Sequence, residues 1–427
     1  MSRSFNFRQK HVCLIEFSCA ILNGSHDNRL IKKYMRIFIA GAGAVASVLS
    51  QQLAKDKEIS KVVCGSNDLK RAKEFINTRN KKVSIVKLDL SNDQQLVKTV
   101  RGFDLIINAS LPRFNLVLMK AALTVGANYQ DLASELADLK TAEQLKLHKQ
   151  FKKAGLVALI NTGVAPGITN LLARKGADKL ENIDQINIRL IEDQIASELI
   201  FAWSIETTVD EVTAPPLVYR KGKFQLTKPF HNPEDYDYGH GFGIRRMYSI
   251  YGDEVSTLPF YIKTKNIDYK SCGTDIDFAK ALHRLGLFNK KPVTVGCIKV
   301  IPVNLLASIS PKVPSPAEML KLIKNGVIEN AVFSSLVECI GTQSGKKIRI
   351  RNIATFPDLK GIMKKFPGAT YISYPTGIAA YAFSKVIKHI QTPGVFPPEA
   401  LDFSLRRKVL LELELNGITF EEEFSKA

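Results

Sequence analysis

The sequence predicts an α/β protein: a doubly wound parallel sheet with a second, α+β domain inserted into it. Three observations predict it. A glycine-rich turn at residues 41–46 joins a short apolar run to a helical pattern. Apolar runs then alternate with helical patterns as far as residue 160. From residue 183 the texture changes to alternating polar and apolar residues, which read as antiparallel strands.

The first element, 36–40, reads as a buried strand, and residues 44–53 carry helical spacing. Strands are expected at 61–64, 83–88, 104–108, 128–131 and 156–160, with helices at 68–78, 93–100, 114–126 and 141–154 between them. In the second domain, taken as residues 164–366, the alternating runs at 186–190, 299–303 and 332–340 suggest strands. Residues 371–398 hold an amphipathic helix too long and apolar to stand alone. It is expected to return to the first domain, within a segment 367–402. The remainder, 403–427, reads as a tail with a strand at 409–415. Residues 1–34 are basic and unlike the rest. Met35 stands directly before the first strand, so they are expected to be a disordered or artefactual extension.

Composition excludes some classes. The chain has 427 residues, 45% hydrophobic and 24% charged, enough for two domains with real cores. No stretch is long and apolar enough to span a bilayer, so no membrane partner is expected. Six cysteines (13, 19, 64, 272, 297 and 339) show no C-x-x-C pair, which points to reduced thiols, a cytoplasmic setting and no metal site. The net charge of +19 is spread along the chain without an arginine-rich arm, so nucleic acid is not an expected partner. A solvated surface, or one that attracts a polyanionic cofactor and a dicarboxylate substrate, fits it better.

The turn at 41–46 has the G-x-G-x-x-A spacing of a dinucleotide fingerprint in a Rossmann-type fold, with Gly41, Gly43 and Ala46 in the small positions. The helix that starts at Ala44 and Val45 would present unpaired N–H groups to a pyrophosphate. After the second strand stand Gly65-Ser66-Asn67 rather than an acid, with Arg71 following. A carboxylate there would repel a 2′-phosphate. Ser66 and Asn67 can bond one and Arg71 can neutralise it, so NADP is favoured and NAD remains possible. Asp89 follows strand three, where it could accept from an adenine amino group or cap the next helix. Asn108, Ala109, Ser110 and Leu111 follow strand four, a small polar stretch for a ribose–nicotinamide unit. Gly163 opens the loop by which the chain leaves the first domain.

These stretches resemble the saccharopine dehydrogenase-like oxidoreductases. The carriers are GAGAVA (41–46), NYQDLASE (128–135), NTGVAPGITNLLA (161–173), Trp203-Ser204, PTGIAAYAFSKVI (375–387) and QTPGVFPPEAL (391–401). They cover nearly all of 35–401. The GVAPGI and late PTG…TPGV motifs are the specific ones. The resemblance implies a two-domain enzyme, often a homodimer, working with NAD(P) on a carbon–nitrogen bond of an amino-acid-derived substrate such as saccharopine. It implies that Gly41, Gly43 and Val45 touch the pyrophosphate, that 108–111 line the nicotinamide ribose, and that Gly167, Trp203, Ser204 and Thr376 border the substrate. Within the family, lysine 6-dehydrogenases carry an acid after strand two and use NAD, whereas NADP-linked saccharopine reductases tend to place Arg there. This chain has Ser66.

Imine reduction asks the protein for substrate anchors and a group that handles a proton. Asp131 with Tyr129, at the end of strand five, are the first candidates, and His240 in a glycine-rich loop is the next. Arg245 and Arg246 could clamp a carboxylate. A lysine 6-dehydrogenase-like deaminating enzyme, a hydroxy-acid dehydrogenase and a non-catalytic NADP-binding redox sensor are the competing readings. The hydroxy-acid reading lacks a convincing His–carboxylate pair.

Overall fold

The computed structural model describes residues 34–135 and 138–427. The expectation for residues 1–34 therefore lies, Tyr34 apart, outside the described residues. Strand β1 (Met35–Ala40) alternates strictly: Ile37 and Ile39 enter one core, Phe38 and Ala40 the other. A strand buried on both faces is what a parallel sheet with helices on each side requires. β2 (Ile59–Ser66), β3 (Val83–Lys87), β4 (Leu105–Asn108), β5 (Asn128–Asp131) and β6 (Val157–Leu159) follow, all parallel, with helices between them.

The chain leaves this sheet through the helix Ile168–Ala177 and builds a nine-stranded mixed sheet. Its strands are β7 (Asn182–Ala196), β8 (Leu217–Arg220), β9 (Lys223–Leu226), β10 (Glu234–Asp237), β11 (Ile244–Ser249) and β12 (Thr264–Cys272). A separate hairpin, β13 (Val293–Val295) with β14 (Ile298–Val300), intervenes before β15 (Ile328–Gln343) and β16 (Lys346–Thr355). The central path runs β10-β11-β12-β7-β15-β16-β18, with β18 (Thr419–Lys426) on the edge. The expected antiparallel pattern fails at one place: β7 pairs parallel with β12.

The helix Ser373–Val386 returns to the first half. A Cβ on Gly377 would lie 2.7 Å from Val48 Cβ, so glycine lets this helix press directly on the helix Ala44–Lys55. β17 (Gly394–Phe396), unforeseen in the sequence, then adds a seventh parallel strand beside β6.

Two local expectations are corrected. Residues 409–415 are not a strand but part of the helix Phe403–Leu415. Asp402 caps it, accepting from Leu405 N–H at 2.9 Å, and Leu405, Val409 and Leu413 are buried at helical spacing. Residues 299–303 are only partly strand, because Pro302 opens the helix Pro302–Ile309, where its missing N–H costs nothing. Among the described residues, no helix is long and apolar enough to cross a membrane.

Candidate active site

The two halves face one another across a cleft of about 880 Å³. One wall comes from the carboxyl ends of the parallel strands. The other comes from the second sheet, which turns Leu190, Glu192, Tyr269 and Phe333 toward the gap.

At the first wall Gly41 has φ +115°, and a Cβ there would lie 2.6 Å from Ala109 O, so only glycine lets β1 turn against β4. Gly43 is the N-cap of the helix Ala44–Lys55 and supplies no side-chain cap, so the first helical amides have no partner within the helix. Gly41, Gly43, Ala44 and Val45 all line the cleft, and a Cβ on Gly43 would meet nothing within 4 Å. Such an arrangement of free amides and open space can cradle a diphosphate. Ser66, Asn67, Arg71 and Asp89 line the cleft beside it. Arg71 bonds Glu74 and the carbonyl of Val313, lies 3.4 Å from Glu318, and so reaches across to the second half. Asp89 accepts from Ser91 N–H (2.9 Å) and Ser91 Oγ (2.7 Å), and these bonds hold its carboxyl below the usual range.

Asn108, Ala109, Ser110, Leu111 and Gly163 line the next stretch, as do Trp203, Ser204 and Thr376. Asn108 is rigidly held: its Oδ1 accepts from Ser110 N–H at 2.9 Å and its Nδ2 donates to Asn115 at 2.8 Å. Ser204 also caps the helix Ile205–Thr213.

Six expected residues lie off the cleft. Tyr129 is fully buried behind the wall and donates to Asn115 Oδ1 at 3.0 Å. Asp131 is buried beside it, accepting from Asn161 N–H (2.8 Å) and Gln144 Nε2 (3.0 Å). Burial pushes Asp131 up to about 8, but both oxygens tie strand ends together rather than face a ligand. Gly167 has φ +134° and forms the turn into the helix Ile168–Ala177, its N–H bonded to Asn170 at 2.9 Å. His240 sits 2.9 Å from Glu423 and 3.3 Å from Glu421, on the edge strand β18. Arg245 pairs with Asp193, and Arg246 with Asp235 at 2.9 Å. Each of the three has carboxylate neighbours, so none serves as the expected proton donor or carboxylate clamp in the cleft.

The structure puts other groups there. Glu192, Glu211 and Asp253 line the cleft, and among the described residues none has an ion-pair partner. Glu192 Oε1 accepts from Ser271 at 3.1 Å. Asp253 Oδ2 accepts from Ser134 N–H at 3.0 Å, a bond from one half to the other, while its Oδ1 is buried with no partner among the described residues. Burial raises all three carboxyls: Glu192 to about 8, Glu211 and Asp253 well above the carboxylate range. Glu192 had a sequence signal. It continues the period-two series Ile186, Ile188, Leu190 that enters the core, so an acid stands where the register demands an apolar residue. Asp253 and Glu211 had none. Arg113 and Lys312 are exposed cations on the same cleft.

Residues 37–159 match the family model of the saccharopine dehydrogenase NADP binding domain, and residues 163–418 that of the saccharopine dehydrogenase C-terminal domain. The chain belongs to the saccharopine dehydrogenase family. It is an NAD(P)-dependent oxidoreductase of that family. The carboxyaminopropylagmatine dehydrogenase of Synechocystis sp. is 27% identical over 297 residues, 66% of this chain and 74% of that protein. The carboxynorspermidine synthase of Vibrio cholerae is 22% identical over 62% of this chain and 66% of its own length. Among solved structures, apo saccharopine dehydrogenase (L-Glu forming) of Saccharomyces cerevisiae superposes with TM-score 0.65 at 15% identity, covering 92% of this chain and all of that one. The homospermidine synthase of Legionella pneumophila, in complex with NAD, gives 0.66 at 14% identity, with 92% and 91% covered. At these identities the two structures show the fold alone.

Proposed function

We propose that this oxidoreductase forms a carboxylated polyamine by reducing the imine between an amino-acid semialdehyde and a polycationic amine. The observation that carries this reading is the unpaired acidic end of the cleft, Glu192, Glu211 and Asp253. A dicarboxylate such as saccharopine would bring like charge to that wall. An ammonium or guanidinium chain brings the opposite charge. The names of the two relatives above fit it: an aminocarboxypropyl group on an amine is what remains when an aspartate semialdehyde imine is reduced.

Gly41, Gly43, Ala44 and Val45 would hold the diphosphate, Ser66, Asn67 and Arg71 the adenosine ribose, and residues 108–111 the nicotinamide ribose. When bound, the nicotinamide supplies the hydride. The protein's own groups do the rest. Aldehyde and amine lose water, and walls such as Leu190, Tyr269 and Phe333 keep the cleft dry enough to favour the imine. Arg113, an exposed cation on the cleft beside residues 108–111, would hold the substrate carboxylate. Asp253 holds a proton on Oδ1, its unpartnered oxygen, and so faces the nitrogen as an acid rather than a full charge.

The test is nicotinamide absorbance with NADPH or NADH, aspartate semialdehyde and a panel of amines. Oxidation of the cofactor should need both the semialdehyde and a polycationic amine such as agmatine or spermidine. Turnover with lysine or glutamate as amine, and none with polyamines, would overturn the reading.

A further inference from the structure

A second cavity of about 310 Å³ adjoins the cleft. The two share Ala202, Trp203, Ile205 and Glu211 as a common wall. Beyond that wall the lining is apolar, with Ile200, Phe201, Ile276, Phe278, Ala279 and Leu282 packed around it. Polar groups on this lining are mostly acceptors. Glu211 has no side-chain hydrogen bond or ion pair among the described residues and faces both spaces. Among the described residues, Gln194 Oε1 is buried without a partner. Its orientation is fixed, because Nε2 donates to Ile200 O at 3.0 Å and to Asp275 Oδ1 at 2.6 Å. Asp275 also accepts from the Tyr371 hydroxyl.

Methylene-compatible walls with unfilled acceptors at the junction, Glu211 and Gln194 Oε1 against the single unfilled donor of Trp203, fit an aliphatic chain that ends in N–H donors. We infer that this second cavity is the subsite for the distal cationic arm of the amine substrate, threaded past Trp203 and held by Glu211 and Gln194. The inference rests on the polyamine reading and makes the cavity a ruler for chain length. An amine with one ammonium beyond the reacting nitrogen stays in the cleft, and a longer one gains contacts only through the second chamber. Trp203 belongs to both walls, and among the described residues its own indole N–H is buried without a hydrogen-bond partner, so none fixes the ring at the junction.

The experiment is the ratio of kcat/KM for spermidine to that for diaminopropane, with aspartate semialdehyde and NADPH. The wild-type ratio should be about tenfold or more, the scale on which apolar pockets discriminate by size. Ala279→Leu and Thr208→Leu both fill the second chamber without touching the cleft. Each should bring the ratio toward one. Glu211→Gln, which keeps the shape and removes the charge, should lower it too. A thermal melt and NADPH fluorescence identify any variant that does not fold, and the remaining variants decide. A wild-type ratio near one, or a ratio kept in folded chamber-filling variants, overturns the subsite while leaving the polyamine reading standing. Absence of turnover with either amine overturns the polyamine reading itself.

Discussion

The two ends of the cleft differ in charge and in exposure. At the adenosine end, open to water, Arg71 and Lys312 stand among backbone amides at the head of the helix Ala44–Lys55 and the carboxylates of Asp68 and Asp89. The far end is acidic and enclosed by Glu192, Glu211 and Asp253. Charge at the wet end is cheap to keep ionised. At the dry end, burial pushes the carboxyls toward their protonated forms. On the proposed reading, one end takes the polyanionic cofactor and the other a polycation, so the two ligands lie along the cleft in the order of their charges.

The hardest blow to that polarity should come from Gly41→Val. The new side chain would strain a φ of +115° and press on Ala109 O. NADPH affinity, read by fluorescence titration, should fall about a hundredfold or more. Retained binding would mean that the cradle is not where the diphosphate rests.

At the acidic end, Glu192→Gln should cut kcat/KM for a polyamine about thirtyfold, since it removes a charge from a desolvated pair, and should leave the NADPH Kd alone. Equal loss for both ligands would blur the division between ends. At the adenosine end, Arg71→Ala should weaken NADPH about tenfold and NADH hardly at all. A uniform loss would assign Arg71 to its contacts with Glu318 and Val313 instead.

The smallest effect is one of pH. Glu192 is raised from 4.5 to about 8 by burial, with the charges of Asp275 and Asp193 adding to it and the Ser271 hydroxyl opposing. The folded, empty protein thus keeps a proton that the unfolded chain releases. Stability from this group is complete below about pH 4.5 and is lost as pH rises toward 8. Tm of the empty protein should drift down across that window, and spermidine should restore it more strongly at the upper end. A polyamine effect that does not vary with pH would separate binding from these protons.

Much of the first half was legible because its signals are local. Helical and strand periods alternate there, and the glycine turn joins them in the one context that gives it meaning. The misreadings share a cause as well. Residues 409–415, VLLELEL, alternate in hydrophobicity like a strand, yet a cap at Asp402 and packing of Leu405, Val409 and Leu413 make them a helix. β18 reads as polar and is a strand only because β16 offers it a ladder eight residues long. β17 has three residues, too few for any period to show. The cofactor side of the cleft lies in contiguous loops after strands and was visible for that reason. The acidic side gathers Glu192, Glu211 and Asp253 from a strand, a helix and a turn, which only the fold brings together. Tyr129 and Asp131 misled because the end of a strand can brace a wall as easily as face a ligand.

The polypeptide passes from one half to the other three times: at 160–168, at 366–373 and at 396–403. A backbone nick in any one of these passages leaves two tethers intact, so the halves stay registered and can only rock against each other. The chain expressed as two fragments split within one of these passages should still assemble, with fragments that part only in denaturant.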